Sequence, residues 1–490
     1  MRAGPPQNTH ESANFGCGPM TGKACVVGAG HNGLAAGIVL GQAGLRVDVF
    51  EAESVAGGAT RTLELTLPGF LHDFGAAVHP MGAGSPFFAS LPLREYGLDW
   101  IHSPAPLAHP LDDGTTVILE RDLRQAESWL GPDGRAWRNL LEPFAERWSD
   151  FAADVLRPLP SIPHHPWLMA RFGVNAMGSA RTLAFGRFRQ ERARALFAGI
   201  AAHSFLRLED PLSAAFGMIM AAAAHAVGWP IARGGTQSLT NALCAYLGKL
   251  GGTIHTSARV DDVARLPAND MTLCDLTPRQ LLRVAGNRLS SSYKKRLADF
   301  RYGPGVFKVD YALGGPIPWR AAECLRAATV HLGGTFEEIA ASETAMRQGR
   351  HSERPFVLLV QPTLFDPLRA PAGKHIAWAY CHVPNGSTVD MLGTLEGQIE
   401  RFAPGFLDCV LARRVFFPAD LESMDANLVG GDIIGGGLDV RQFCFRPTRW
   451  HYATSASDLY ICSASTPPGG SVHGMCGYHA ARMALSRLKK

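Results

Sequence analysis

The stretch "ACVVGAGHNGLAAGIVLGQAGLRVDVFE", Ala24 to Glu51, constrains this chain more than any other. It begins with a short apolar run containing Val26 and Val27 and bounded by glycine, which reads as a buried parallel strand. Gly28, Gly30 and Gly33 then complete G-x-G-x-x-G. The first glycine permits a tight turn, the second lets a pyrophosphate approach the backbone, and the third lets helix and strand pack closely. From Gly33 to Gly44 the chain is apolar on all sides and rich in small residues, as a helix buried against a sheet requires. Gly44 suits the C-terminal cap of that helix. A second strand, Arg46–Phe50, ends at Glu51, roughly twenty residues beyond Gly28, where a carboxylate can accept hydrogen bonds from a ribose and repels a 2′-phosphate. Strand, glycines, helix, strand and acid in this order define a dinucleotide-binding unit, with the pyrophosphate at the helix N-terminus. That unit alone does not choose between nicotinamide and flavin.

The length of 490 residues exceeds one ordinary core, so a second domain is expected. Apolar content of 46% with 18% charged residues argues against global disorder. A formal net charge of +4, without a Lys/Arg-dense run, gives no case for nucleic acid. The ten cysteines form no C-x-x-C pair, so neither a zinc site nor a disulfide framework is expected, and reduced thiols in a cytosol are. Residues 1–22 lack the apolar core of a secretory signal and read as a flexible tail, with Met20 an alternative start. No segment reaches the roughly 18 apolar residues of a spanning helix. The nearest, Leu212 to Val227, "LSAAFGMIMAAAAHAV", reads as a buried helix or as the wall of an apolar channel, and a peripheral membrane contact stays open.

Flavin is favoured by the residues just after Glu51 and by the far end of the chain. "EAESVAGGATRT" places Gly57, Gly58 and Arg61 just beyond the acid. The terminal "DLYICSASTPPGGSVHGMCGYHAARMALSRL" reads as a strand (459–463), a Pro/Gly loop and a helix (477–488). A second glycine loop feeding a helix offers N–H donors and a positive dipole end to another part of the cofactor. An isoalloxazine ring needs such a group where reduction makes it anionic. A second G-x-G-x-x-G unit and a redox cysteine pair are both missing, which disfavours a disulphide reductase with its own NADPH domain.

Several separated motifs in order carry a resemblance: "VVGAGHNGLAAG", "GGATRTLELTLPGFLHD", "AAVHP", "GGTQSL", "CDLTPRQLL", "YGPGVFKVDYAL" and "ASTPPGGSVHGMCGYHAAR". On these the chain resembles the phytoene desaturase-like FAD-dependent oxidoreductases, in particular bacterial relatives of pyridine nucleotide-disulphide oxidoreductase domain 2 proteins. The resemblance implies non-covalent FAD, with Gly28, Gly30 and Gly33 at the pyrophosphate and Glu51 on the adenosine ribose. It further implies Gly58 and Arg61 beside the phosphates and Val260, in a strand, pairing with the adenine. Gly469, Gly470, Val472 and Met475 would line the flavin end. The implied fold is α/β: a Rossmann-like FAD-binding domain assembled from separated segments, 23–95, 231–275 and 451–490, plus an α+β substrate or cap domain from 96–230 and 276–450.

The implied chemistry is dehydrogenation (desaturation) of a hydrophobic polyene or acyl-chain substrate, with oxygen, a quinone or another acceptor regenerating the oxidised flavin. A flavin-dependent isomerase, a flavin-bound interaction protein and an amine oxidase are the alternatives. Among proton-handling residues, His79 in "AAVHP" is the candidate to position substrate or flavin; His225, His473 and Tyr478 are weaker. No metal site and no oligomeric state are expected from the sequence.

Overall fold

The computed structural model describes residues 21–488. Except for its last two residues, the expected N-terminal tail lies outside the described residues, as does Met20.

Three distant regions of the chain build one parallel sheet. Its five strands lie in the order Leu459–Ile461, Met271–Cys274, Lys23–Val27, Arg46–Phe50 and Thr253–His255. The central strands are buried on both faces, which explains their near-continuous apolar runs. Helix His31–Gln42 packs on this sheet, and helices Gln237–Lys249 and Met475–Leu488 pack on that helix. The approach of the terminal helix is close: a Cβ on Gly477 would stand 1.9 Å from the Asn32 carbonyl. Only glycine permits that contact, which ties the last helix to the first.

A second sheet has seven strands, in the order Val410–Phe416, Gly305–Leu313, His375–Val383, Val357–Val360, Ala327–Leu332, Ala105–Pro110 and Thr116–Leu119. All neighbours are antiparallel except Ala327–Leu332 with Ala105–Pro110. Period-two alternation divides strand Gly305–Leu313: Phe307, Val309 and Tyr311 join the core behind the sheet, packed on helix Leu392–Phe402. Val306, Lys308 and Asp310 occupy the opposite face by the same alternation. Register places Lys308 beside Tyr380 and Asp310 beside Trp378. The mixed strands and helices expected for the second domain are therefore present.

Helices from the intervening segment cover this sheet. Ser213–Ala226 packs tightly on Glu191–Ala202, because its alanines and Gly217 let the axes approach. The helix settles the two readings of 212–227 by being both: Ala221 to Ala224 are buried, while Phe216 and Met220 face a cavity.

Candidate cofactor and substrate site

One cavity of about 520 Å³ runs between the two sheets. At one end it is walled by Gly28, Gly30, Glu51, Gly58, Arg259 and Val260. At the other it is walled by Phe205, Phe216, Met220, Trp229, Leu358 and Tyr380. Gly470 and Val472 border the stretch between, near His79.

The glycine turn has the shape its sequence implied. Gly28 takes φ +96°, which an L side chain rarely adopts, and a Cβ on Gly33 would stand 2.0 Å from the Gly28 carbonyl. Helix His31–Gln42 starts at Gly30 with no side-chain cap and no acid in its first turn, and His31 and Asn32 both face the cavity. Such an end suits an anion. Glu51 is buried and braced: Oε2 accepts from Ala29 N at 2.7 Å and Oε1 from Glu53 N at 2.9 Å. Each oxygen keeps a lone pair for a further donor such as a ribose hydroxyl. Gly30 bridges Gly57, so the two glycine loops meet across the cavity. Bare backbone, a free helix N-terminus and a braced carboxylate at one end of a long cavity fit a dinucleotide.

Other residues singled out from the sequence fall differently. Arg61 lines the cavity, but its Nε donates to Gly58 O at 2.8 Å and its Nη2 to Met424 O at 2.7 Å, so it ties two walls together. Val260 reaches the cavity from a loop, because the strand expected to hold it stops at His255. Past His255 the backbone instead turns back onto the acid loop, with Ala258 N donating to Glu51 O at 2.7 Å. Gly33, Gly469 and Met475 stand behind the wall: Gly33 N donates to Asp275, Gly469 O accepts from Cys476, and Met475 N donates to His473 Nδ1.

His79 lines the cavity and is buried, which pushes its pKa down to about 4 and leaves it neutral. Its Nε2 meets Thr236 Oγ1 at 3.0 Å, and Nδ1 has no partner. His225 bonds Trp137 Nε1 and the Arg121 carbonyl, and the Tyr478 hydroxyl accepts from Arg482. His473 Nδ1 accepts from Met475 N at the terminal helix, and its Nε2 has no partner.

Sequence reasoning passed over three cavity residues. Asp275 follows strand Met271–Cys274, and its carboxyl lies against the glycine turn: Oδ2 accepts from Gly33 N at 2.9 Å and would stand 2.6 Å from a Cβ on Gly30. Burial first, then Asp425 and Glu51, push its pKa up to about 7 against the pull of the Gly33 N–H. Lys308 puts an ammonium into the sheet face, paired with Asp310 and flanked by Trp378 and Phe416. Asp310 is pushed up to about 6 by burial, opposed by Lys308, and His72 Nδ1 stands 3.6 Å from it. His203 lines the chamber and bonds His331 through Nε2 at 3.0 Å. Lys308 and Asp310 alternate as paired charges inside an apolar strand, "GVFKVDYAL", and that was a legible signal. Asp275 and His203 had none.

Among the described residues no group of His, Cys, Asp or Glu is arranged to hold a metal, and no helix is long and apolar enough to cross a membrane.

Fold and site together define a dinucleotide-binding protein whose cavity extends into an apolar chamber. The chain belongs to the flavin containing amine oxidoreductase family, whose sequence profile matches residues 33–285. Its cofactor is FAD. The mouse "Pyridine nucleotide-disulfide oxidoreductase domain-containing protein 2" is 27% identical over 95% of this chain and 94% of its own. A "Phytoene desaturase (lycopene-forming)" of Pseudescherichia vulneris is 24% identical over 51% of this chain and 55% of its own. Among solved structures, an oxidoreductase from Methanosarcina mazei superposes with a TM-score of 0.62 at 18% identity, covering 96% of this chain and all of the other. A putrescine oxidase variant superposes at 0.61 with 14% identity, covering 95% and 99%. These likenesses share the fold.

Proposed function

We propose that this flavin oxidoreductase dehydrogenates a C–C bond of a hydrophobic substrate, a polyene or an acyl chain, and passes the electrons to oxygen, a quinone or a similar acceptor. The observation that carries the reading is the continuity of the cavity from the glycine turn into a chamber of aromatic and aliphatic side chains. When bound, FAD supplies the acceptor for a hydride. The residues proposed to hold it are Gly28, Gly30, Gly33, Glu51, Gly58, Arg61 and Val260 toward the nucleotide, and Gly469, Gly470, Val472 and Met475 toward the ring. Asp275 joins them at the pyrophosphate.

The chamber residues hold the substrate and exclude water. Trp378 and Tyr380 stack at 5.6 Å, 14° from parallel, and give one wall a flat aromatic floor. Acidic groups on the cavity wall are Glu51, Glu53, Asp275 and Asp425 around the glycine loops, and Asp432, whose oxygens accept three backbone N–H groups. Four of these five acids thus lie at the nucleotide end and the fifth is taken up by backbone, which favours an apolar substrate over an amine. His79 is proposed to position substrate or cofactor as a neutral imidazole.

The division into a cofactor domain (23–95, 231–275, 451–490) and a substrate domain (96–230, 276–450) is supported by the two large sheets, each drawing all of its members from one set, while the short pair Trp100–Ile101 with Ile231–Ala232 bridges the two sets. Nine free cysteines among the described residues favour a reducing compartment such as the cytosol. A peripheral membrane contact is supported by helix Pro166–Ala176 and the residues flanking it. Ile162, Trp167, Val174 and Met177 are 88%, 87%, 83% and 67% exposed, while Leu168, Phe172 and Ala176 face inward. An exposed tryptophan with aliphatic neighbours and Arg171 suits the interface of an anionic bilayer.

Anaerobic bleaching of the bound flavin, screened across carotenoid, fatty-acyl, retinoid and amine candidates, tests the reading. Bleaching by an apolar candidate, followed by multiple turnovers that consume acceptor, is expected. Turnover without acceptor consumption would establish the isomerase instead. Bleaching by amines alone would overturn the apolar substrate, and a flavin that no candidate reduces points to an interaction protein. A His79→Ala holoprotein with full FAD content and unchanged turnover would remove His79 from the site.

A further inference from the structure

Arg446 is fully buried, and among the described residues no carboxylate lies within ion-pair distance of it. Its guanidinium is held by backbone oxygens instead. Nη2 donates to Gly435 O at 2.6 Å and to Ala464 O at 3.0 Å, with Ile434 O and, from Nε, Ser465 O more distant at 3.4 Å. Nη1 has no acceptor and lies 3.1 Å from where a Cβ on Gly469 would stand. Ile434, Gly435 and Ala464 line the cavity, as does Gly470. The cation therefore sits one layer of backbone behind the cavity wall, between the "GGDIIGGG" loop and the terminal glycine loop.

An unpaired buried charge is costly, and carbonyl dipoles offset only part of that cost. Two acids act on it: Cys476, whose thiol burial pushes up to about 11 and so keeps neutral, and Asp432, whose carboxyl is itself taken up by Gly303 N, Ile434 N and Gly435 N at 2.7, 2.8 and 3.0 Å. Its field is thus weakly neutralised and passes through a medium that screens poorly.

We propose that Arg446 is the fixed positive charge that favours the reduced, anionic form of the flavin. This rests on the reading that the isoalloxazine end lies at Gly469 to Val472. Dehydrogenation transfers a hydride, two electrons and one proton, to the cofactor, while the second proton leaves the substrate for a base or solvent. The ring system so gains one net negative charge, and a cation already in place stabilises it without reorganisation. The N-terminal end of helix Met475–Leu488 acts in the same sense. Arg446 adds a full charge to that partial one.

Sulfite tests this without a substrate, because its adduct with oxidised flavin is anionic. Arg446→Gln removes the charge and keeps a hydrogen-bond donor; Arg446→Lys keeps the charge and loses the fork; Asp432→Asn removes the opposing carboxylate. The expected results are sulfite affinity at least tenfold weaker in R446Q, near wild type in R446K, and tighter in D432N. The two-electron reduction equilibrium should move in parallel, tenfold corresponding to about 30 mV. If R446Q does not retain FAD, R446K and D432N decide alone. R446K as impaired as R446Q, or D432N without a shift, would make the role one of loop packing and overturn the proposal. A wild-type protein that takes up no FAD would instead defeat the flavin-site reading itself.

Discussion

Asp275 links cofactor binding to pH, and the size of the effect follows from its surroundings. Its carboxyl touches the turn where the pyrophosphate is proposed to lie, and burial holds its pKa at about 7 rather than 3.8. The folded protein therefore keeps a proton there that the unfolded chain loses near pH 4. Because the folded pKa is the higher, stability falls as pH rises from about 4 to 7, by about 4 kcal/mol at full ionisation. A pyrophosphate charge roughly 6 Å away would add about 3 kcal/mol against ionisation at an effective dielectric of 20, so the complex would hold the proton to about two pH units higher. FAD binding above pH 7 must then take up a proton. Affinity should fall by up to tenfold per pH unit between about 7 and 9, which amounts to about twentyfold between pH 6.5 and 8.5. Asp275→Asn retains an acceptor for Gly33 N and cannot ionise, so its affinity curve should be flat. Titration of apoprotein with FAD, by flavin fluorescence and by calorimetry in two buffers of different ionisation enthalpy, reads both affinity and proton uptake. Parallel curves for D275N and wild type, or no uptake at pH 8, would refute the placement of the pyrophosphate beside Asp275.

Gly33→Ala drives a methyl into the Gly28 carbonyl, so FAD content should collapse and stability should drop by several kcal/mol; a G33A protein with a full yellow complement and unchanged melting would contradict the turn. Lys308→Met strands the Asp310 carboxylate and should cost about 3–5 kcal/mol near neutral pH, with K308M/D310N recovering much of it. Denaturation of the three proteins measures this, and no recovery in the double variant would mean that the pair is not coupled. Replacing both Ile162 and Trp167 with serine should abolish co-sedimentation with vesicles rich in anionic lipid while leaving FAD content intact. Equal sedimentation of variant and parent would remove that face as a membrane contact.

Local sequence carried the cofactor half of the molecule well. The order of Val26–Val27, Gly28, Gly30, Gly33 and Glu51 is a short-range pattern whose physics closes within one βαβ unit. The terminal strand and helix followed from ordinary periodicity and glycine punctuation. The reading of Val260 as a strand residue was wrong because strand Thr253–His255 pairs on one side only, where nothing compels the ladder to continue. The chamber was less legible, since its walls come from helix Ser213–Ala226, from alternate residues of four sheet strands, from the end of helix Pro418–Met424 and from the segment after it up to Leu438. Apolar residues there look like any other core residues, and only packing decides which of them border a void.

From its order of residues alone, the chain determined a glycine turn at Gly28–Gly33 that opens a helix, with a carboxylate ending the next strand at Glu51, because turn geometry and helix dipoles are local properties. The tertiary structure alone decided that Asp275, Lys308 and His203 would line one cavity and that Arg446 would stand behind its wall. Groups so far apart in sequence acquire their burial and their mutual fields only once the two sheets enclose the cavity.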